Sequence, residues 1–227
     1  MNTWIKVARY NLMLPSYRLL LPWTLPFAFA LGAVTAGRSE GHDASGYLFS
    51  FFVYFVVQGT QSIGRVLPFG LTLGVSRRSF YAGTALLGMA LALVSGLVLT
   101  ALQVIERATG GWGMSMRFFR VPYLLDGPWY ATWLTSAVGL FALFVYGMFY
   151  GIVFSRWGLL GTAAFTAAQA VVVTAAVVVI TSEHWRLWSA AGGSFAGLTA
   201  LGLTGVIAAL AVLLLAAGHT TIRRATV

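Results

Sequence analysis

The chain has 227 residues, of which 59% are hydrophobic and only 8% charged, and its formal net charge is +9. A typical soluble domain is about 25% charged, so this composition excludes a soluble fold, whose surface would need many more charged groups. The absence of cysteine excludes disulfides, thiolate metal sites and cysteine nucleophiles.

Six apolar runs are each long enough to cross a bilayer, because about 20 helical residues span a hydrocarbon core of ~30 Å. They are residues 19–37, 46–64, 80–102, 132–154, 158–180 and 194–217. The predicted fold class is therefore all-α: a polytopic membrane protein with six transmembrane helices in a single domain, residues 1–227. Residues 3–14 have an apolar helical face, which predicts an N-terminal interfacial helix; a frayed terminus is the alternative.

The charged residues separate by side when the loops are numbered alternately. One side holds only basic residues: Lys6, Arg9, Arg18, Arg65, Arg77, Arg78, Arg156, Arg223 and Arg224. The other side holds Arg38, Arg107, Arg117, Arg120 and Arg186 together with Glu40, Asp43, Glu106, Asp126 and Glu183. Lys and Arg are retained in the cytoplasm, so both termini are predicted to be cytoplasmic in the plasma membrane. The dispersed arginines favour contact with anionic membrane lipids and not with nucleic acid.

The connections between the runs also carry structural signals. The inner loop, about 65–79, is unusually apolar and contains Pro68 and Gly74, which predicts a short helical piece that stops near Gly74. The outer loop, about 103–131, is the largest. Spans four and five are predicted to meet in a tight inner turn at Ser155, Arg156 and Trp157.

Two pairs of glycines have the small-xxx-small spacing that lets helices approach closely. They are Gly147 with Gly151 and Gly193 with Gly197. Close packing within the bundle is the first interpretation, and a dimer contact is the alternative.

Several motifs are absent from the sequence. Lys6 is the only lysine, so the chain has no Walker-type phosphate loop and is not expected to be an enzyme that hydrolyses nucleotide. There is no HExxH pair, carboxylate cluster or histidine cluster, so no metal site and no cofactor are expected. No ionisable residue lies at mid-membrane depth, which disfavours a proton- or sodium-coupled carrier. If the protein moves a substrate, the energy should come from a partner.

The segment Gln61–Leu87, QSIGRVLPFGLTLGVSRRSFYAGTALL, resembles the inner loop between spans two and three of ABC exporter permeases of type 2, especially small actinobacterial members. In that family this loop forms a coupling helix that docks on a separate ATPase subunit. The resemblance implies that ATP and Mg are bound by that partner and that a second permease copy or a homologue completes the transporter. The residues implied in coupling are Leu67, Leu71, Leu73, Val75, Ser76, Arg77 and Arg78.

The apolar inner loop must bury its leucines against a membrane surface or a partner, and Arg77 and Arg78 could pair with carboxylates of that partner. Polar residues on spans two and five are candidates for a substrate path, with hydrogen bonding between helices as the alternative: Tyr54, Gln58, Gln61, Thr162, Thr166 and Gln169. The uncharged interior favours a hydrophobic or amphipathic cargo. The alternative function is a non-transporting membrane scaffold or immunity protein.

Overall fold

The computed structural model of the chain describes residues 48–72, 74, 76–111, 119, 128–181 and 200–224. Every regular element in these ranges is a helix, which confirms the all-α class. The helices are α1 (Leu48–Gln61), α2 (Leu67–Thr72), α3 (Arg77–Ala108), α4 and α5 (together Trp129–Thr181) and α6 (Ala200–Arg224). A π-helical stretch, Ser62–Val66, joins α1 to α2.

Some predictions lie outside the described residues. They are the interfacial helix over 3–14, the first span over 19–37, the glycine pair Gly193 and Gly197, and the two coupling residues Leu73 and Val75.

Three of the described helical elements are long and apolar enough to cross a membrane: Arg77–Ala108, Trp129–Ala175 and Leu201–Thr221. The second of them contains both α4 and α5. This agrees with the transmembrane character predicted from composition.

The element Trp129–Thr181 is a hairpin of two helices. A straight helix of its 53 residues would be about 80 Å long, more than twice the thickness of a hydrocarbon core. Only Gly158 is non-helical, with φ 64° and ψ −157°, a conformation that other residues rarely adopt. We therefore take α4 as residues 129–157 and α5 as residues 159–181. The inner turn predicted at Ser155–Trp157 is shifted, because α4 continues through those residues and the chain reverses at the glycine.

Ring and hydroxyl contacts show that α4 and α5 run antiparallel. The Tyr146 hydroxyl donates to Gln169 Oε1 at 2.7 Å, and the rings of Phe149 and Phe165 lie 5.9 Å apart. Each pair lies at nearly equal distances along the chain on either side of Gly158, as in a hairpin.

The hairpin is the centre of the bundle, and α1, α3 and α6 all pack against it. Its contact with α1 is made by glycines: a Cβ on Gly147 would overlap the Val56 carbonyl oxygen, and one on Gly59 would overlap the Phe144 carbonyl oxygen. A Cβ on Gly151 would lie 2.8 Å from the Thr60 carbonyl oxygen. Gly147 and Gly151 thus pack within the bundle, which confirms the first interpretation of this pair.

The helices α3 and α4, which follow one another along the chain, run in opposite directions. Gly88 of α3 lies against the ring of Phe144 of α4, and Gly96 of α3 lies against Ala137 of α4. The α4 partner moves back along the chain as α3 moves forward, so these two helices are antiparallel. In contrast, α1 runs parallel to α4, since Val56 meets Gly147 and Thr60 meets Gly151.

The ends of several helices meet at one end of the bundle. We call it the basic end, because Arg77, Arg78 and Arg156 lie there. It contains the end of α2 at Gly74, the first turn of α3, the α4–α5 turn and the last turns of α6. Contacts tie these parts together: Ile63 packs on Gly151, and Gly218 of α6 lies against Tyr81 of α3 and Ile152 of α4.

The helix α3 is longer at both ends than the predicted span 80–102. It begins at Arg77, because Ser76 accepts a hydrogen bond from the Ser79 N–H and caps the first turn. It continues to Ala108, because Gln103 and Glu106 are buried within the bundle although they are polar. The outer connection predicted as 103–131 is therefore shorter and lies between Ala108 and Trp129.

Candidate binding cavity and coupling segment

The predicted coupling segment is built as a helix that stops and restarts. The chain is helical without a break from α1 through the π-helical stretch into α2. Proline has no N–H for a bond to residue i−4, so the widened turn falls just before Pro68, where a regular ladder cannot continue. The helix ends near Gly74, which has φ 76° and donates its N–H to the Leu71 carbonyl oxygen at 3.0 Å. This confirms the helical piece that was predicted to stop at this glycine.

Two leucines of this segment face the core of the bundle, which the sequence did not indicate. Leu67 is only 5% exposed and belongs to the core, and Leu71 is half-buried against the same core. The bundle itself therefore buries at least part of the apolar surface that was expected to need a partner or a membrane. Among the described residues of the predicted coupling set, Ser76 and Arg78 are exposed and Arg77 is half-buried.

The position of the two arginines has an electrostatic cost. Arg77 and Arg78 occupy the first turn of α3, which contains no acidic residue. The positive end of the helix dipole lies there, so a cation is unfavourable by roughly 0.3–1 kcal/mol. Helix stability therefore does not explain these two residues.

Movement of α2 would be transmitted directly to α3. Gly70 lies against the ring of Phe80, where a Cβ would be 2.9 Å from the ring edge. Phe80 is buried in the core at the start of α3. The coupling segment is thus packed on the helix that follows it.

The predicted substrate-path residues bond to one another, to nearby helix backbone or to tyrosines of α4. On α1, the Gln58 amide donates to the Tyr54 hydroxyl. On α5, Thr166 shares a hydrogen bond of 2.6 Å with Tyr150, while Thr162 donates to the Gly158 carbonyl oxygen at 2.7 Å. Gln169 accepts from Tyr146, as described above, and Gln61 is half-buried. None of these hydrogen bonds links a residue of α1 to a residue of α5.

A cavity of about 410 Å³ is lined by residues of α1, α3, α4 and α6. None of the six path candidates lines it among the described residues. Its wall follows α4 from Thr132 to Tyr146, about 21 Å of helix, and α6 from Ile207 to Leu214. Phe52 of α1, Leu99 of α3 and Phe119 complete the lining.

Apart from Tyr146, whose hydroxyl donates to Gln169, the polar residues of the described wall lie at one end of this cavity. Gln103 of α3 and Thr132, Thr135 and Ser136 of α4 lie near the end of the bundle opposite the basic end, and all four are buried. Thr135 shares a hydrogen bond of 2.8 Å with Thr204 of α6. The rest of the described wall is aliphatic or aromatic.

Phe119 is held in the cavity wall by a buried carboxylate. Its N–H donates to Glu106 Oε2 at 2.7 Å, and Glu106 is only 4% exposed at the end of α3. A charge-assisted bond of this kind is stronger than one between neutral groups. The sequence placed Glu106 in a loop, so its role as an anchor for Phe119 was missed.

The lining residues of the cavity were also missed, apart from the general expectation of an uncharged interior. A hint was present in the run from Thr132 to Ser136, since three hydroxyls within five residues of a predicted span are unusual.

In comparisons with known proteins, the chain matches no protein-family model, no curated protein and no solved structure.

Proposed function

We propose that this protein is the membrane-spanning permease subunit of an ATP-driven exporter of the ABC type. A separate cytoplasmic ATPase subunit, which binds ATP and Mg, would dock at the basic end and drive transport of a hydrophobic or amphipathic substrate out of the cell. The observation that carries the proposal is the pair Arg77 and Arg78, held at an unfavourable helix position beside a short helix that is packed on α3.

The membrane arrangement belongs to the same proposal. Six spans would cross the plasma membrane with both termini in the cytoplasm. The alternating directions of α3, α4 and α5 are those of successive crossings, and α1 runs parallel to α4 as this order requires. The basic end then faces the cytoplasm, in keeping with the retention of arginine on that side. A second copy or a homologue would complete the transporter.

Coupling would proceed through packed contacts. The ATPase would contact Ser76, Arg77 and Arg78, and its carboxylates would pair with the arginines. Displacement of this segment would move α2 with α1 and, through Phe80 on Gly70, the start of α3. Because α1 and α3 both pack on the central hairpin, this displacement would reach the cavity.

The test is co-purification of an ATPase with the double variant Arg77→Glu, Arg78→Glu. We expect ATPase retention to fall at least about 10-fold, since buried or partly buried charge pairs at an interface contribute roughly 2–5 kcal/mol. The fold should be preserved, because glutamate in the first turn of a helix is favoured by the helix dipole. The measurement is the ATPase activity recovered with the tagged permease.

The matched control is Arg107→Glu, which makes the same change at the opposite end of α3. It should leave ATPase retention unchanged. Equal retention by wild type and the double variant would reject the docking site. A wild-type protein that retains no ATPase when the two are produced together would favour the non-transporting scaffold instead.

A further inference from the structure

The cavity between α1, α3, α4 and α6 changes in chemistry along its length. Gln103, Thr132 and Ser136 lie at one end, while Leu143 and Leu214 belong to the apolar remainder. Its volume of about 410 Å³ is near the lower end of the roughly 300–1,000 Å³ found for small-molecule sites. An elongated molecule with one polar end and one apolar chain matches this distribution better than a two-chained lipid does.

The Ser136 hydroxyl is the second observation that points to a ligand. It is 8% exposed, lines the cavity and has no hydrogen-bond partner among the described residues. Hydroxyls on membrane helices usually donate to the carbonyl oxygen four residues earlier, as Thr100 does to Gly96 at 2.9 Å. A buried hydroxyl without a partner is unfavourable, so a polar group of a ligand at this position would be bound preferentially.

The charge of the wall limits the kind of head group. No Lys, Arg, Asp, Glu or His lines the cavity among the residues that the structure describes. The Glu106 carboxylate lies one turn beyond Gln103 on α3, and one of its oxygens accepts the Phe119 N–H. An ionised head group would therefore be buried without an opposite charge in the wall, which is strongly unfavourable.

We propose that this cavity binds a neutral, single-chained amphiphile. Its hydroxyl or carbonyl head would bond to Ser136, and its chain would extend along Leu143 towards Leu214. Binding does not depend on the exporter function; only the assignment of this amphiphile as the exported cargo rests on the proposed function.

The test is photolabelling of the purified chain, without any ATPase, by a long-chain alcohol that carries a diazirine in its tail. Mass spectrometry of the cross-linked peptides should locate the label on α4 and α6. In Ser136→Ala the concentration for half-maximal labelling should rise about 5- to 10-fold, which corresponds to one lost hydrogen bond. In Gly139→Leu saturable labelling should be lost, because Gly139 lines the cavity and a side chain there would enter open space.

Two matched controls separate these effects from general damage to the fold. Thr84→Val removes the other buried hydroxyl that lacks a partner, on α3 and outside the described cavity wall. Gly205→Leu makes the same change as Gly139→Leu at an exposed position of α6, where nothing lies within 4 Å of the added Cβ. Both controls should be labelled as the wild type is.

Two further probes test the head group: a diazirine alkane without a head, and the corresponding ionised fatty acid. Both should label less efficiently than the alcohol, and neither should respond to Ser136→Ala as the alcohol does. Equal labelling of wild type, Ser136→Ala and Gly139→Leu by the alcohol would overturn the site. Preference for the fatty acid would overturn the neutral head group. Neither result would affect the docking of an ATPase at Arg77 and Arg78, so the two proposals fail separately.

Discussion

Gly147→Ala is expected to destabilise the bundle by about 2 kcal/mol, although alanine is the better helix former. The added Cβ would overlap the Val56 carbonyl oxygen of α1, and the Gly59 Cα lies 3.1 Å from the same position. Both neighbours are backbone, so no side-chain rotation can relieve the overlap and α1 must move away from α4. Such overpacking costs roughly 3 kcal/mol, against a gain in helix propensity of about 1 kcal/mol.

The comparison is with Gly139→Ala, the same substitution on the same helix at a position where nothing lies within 4 Å of the added Cβ. This variant should gain stability by up to about 1 kcal/mol, because only the helix propensity changes. The midpoint temperature of unfolding in detergent can be measured from the loss of the monodisperse peak. It should fall for Gly147→Ala and should stay the same or rise for Gly139→Ala. A shift in the same direction for both would show that the glycine contact of α1 with α4 is wrong.

Glu106→Ala is expected to release Phe119 from the cavity wall. Glu106 and Phe119 are both nearly buried, and the alanine variant leaves the Phe119 N–H without its acceptor. The loss of a hydrogen bond to a charged, buried group costs roughly 2–3 kcal/mol. Phe119 should then leave the cavity wall more often. Trypsin cleaves after arginine, so the rate of cleavage at Arg117 and Arg120 should rise at least about 10-fold in detergent.

The matched variant is Glu106→Gln, which keeps an oxygen acceptor and loses only the charge. Its cleavage rate should lie between those of wild type and Glu106→Ala, because the charge adds about 1 kcal/mol to the bond. Cleavage after Arg223 serves as the internal reference for trypsin activity. Unchanged cleavage at Arg117 and Arg120 in Glu106→Ala would mean that the carboxylate does not hold Phe119 in place.

Several features of the bundle were predictable from local sequence. The all-α class and the membrane-crossing helices follow from hydropathy, since each apolar run must satisfy its backbone internally in lipid. The stop at Gly74 follows from glycine, which takes conformations that end a helix. The short interval between the apolar runs 132–154 and 158–180 predicted a reversal, although it lies at Gly158 and not at Ser155–Trp157. Close packing at Gly147 and Gly151 was predicted from their spacing. Each of these signals is carried by residues that are close in the chain.

The limits of the prediction are visible at Leu67 and Glu106. Hydropathy showed that Leu67 must be buried, but a single sequence does not show whether a partner or the same bundle buries it. Glu106 is charged and follows an apolar run, so it was placed in a loop. In the structure it is helical and buried, because the Phe119 N–H gives its carboxylate a partner.

The sequence by itself determined that the chain forms apolar helices, where several of them end, and that basic residues concentrate in every second loop. Only the tertiary structure decided which helices are central, that Leu67 faces inward, and that four helices line a cavity with Ser136 in its wall. The physical reason is the distance along the chain between the residues that interact. Helix formation and insertion depend on neighbouring residues, whereas a cavity depends on side chains far apart in sequence that approach only after the helices have packed.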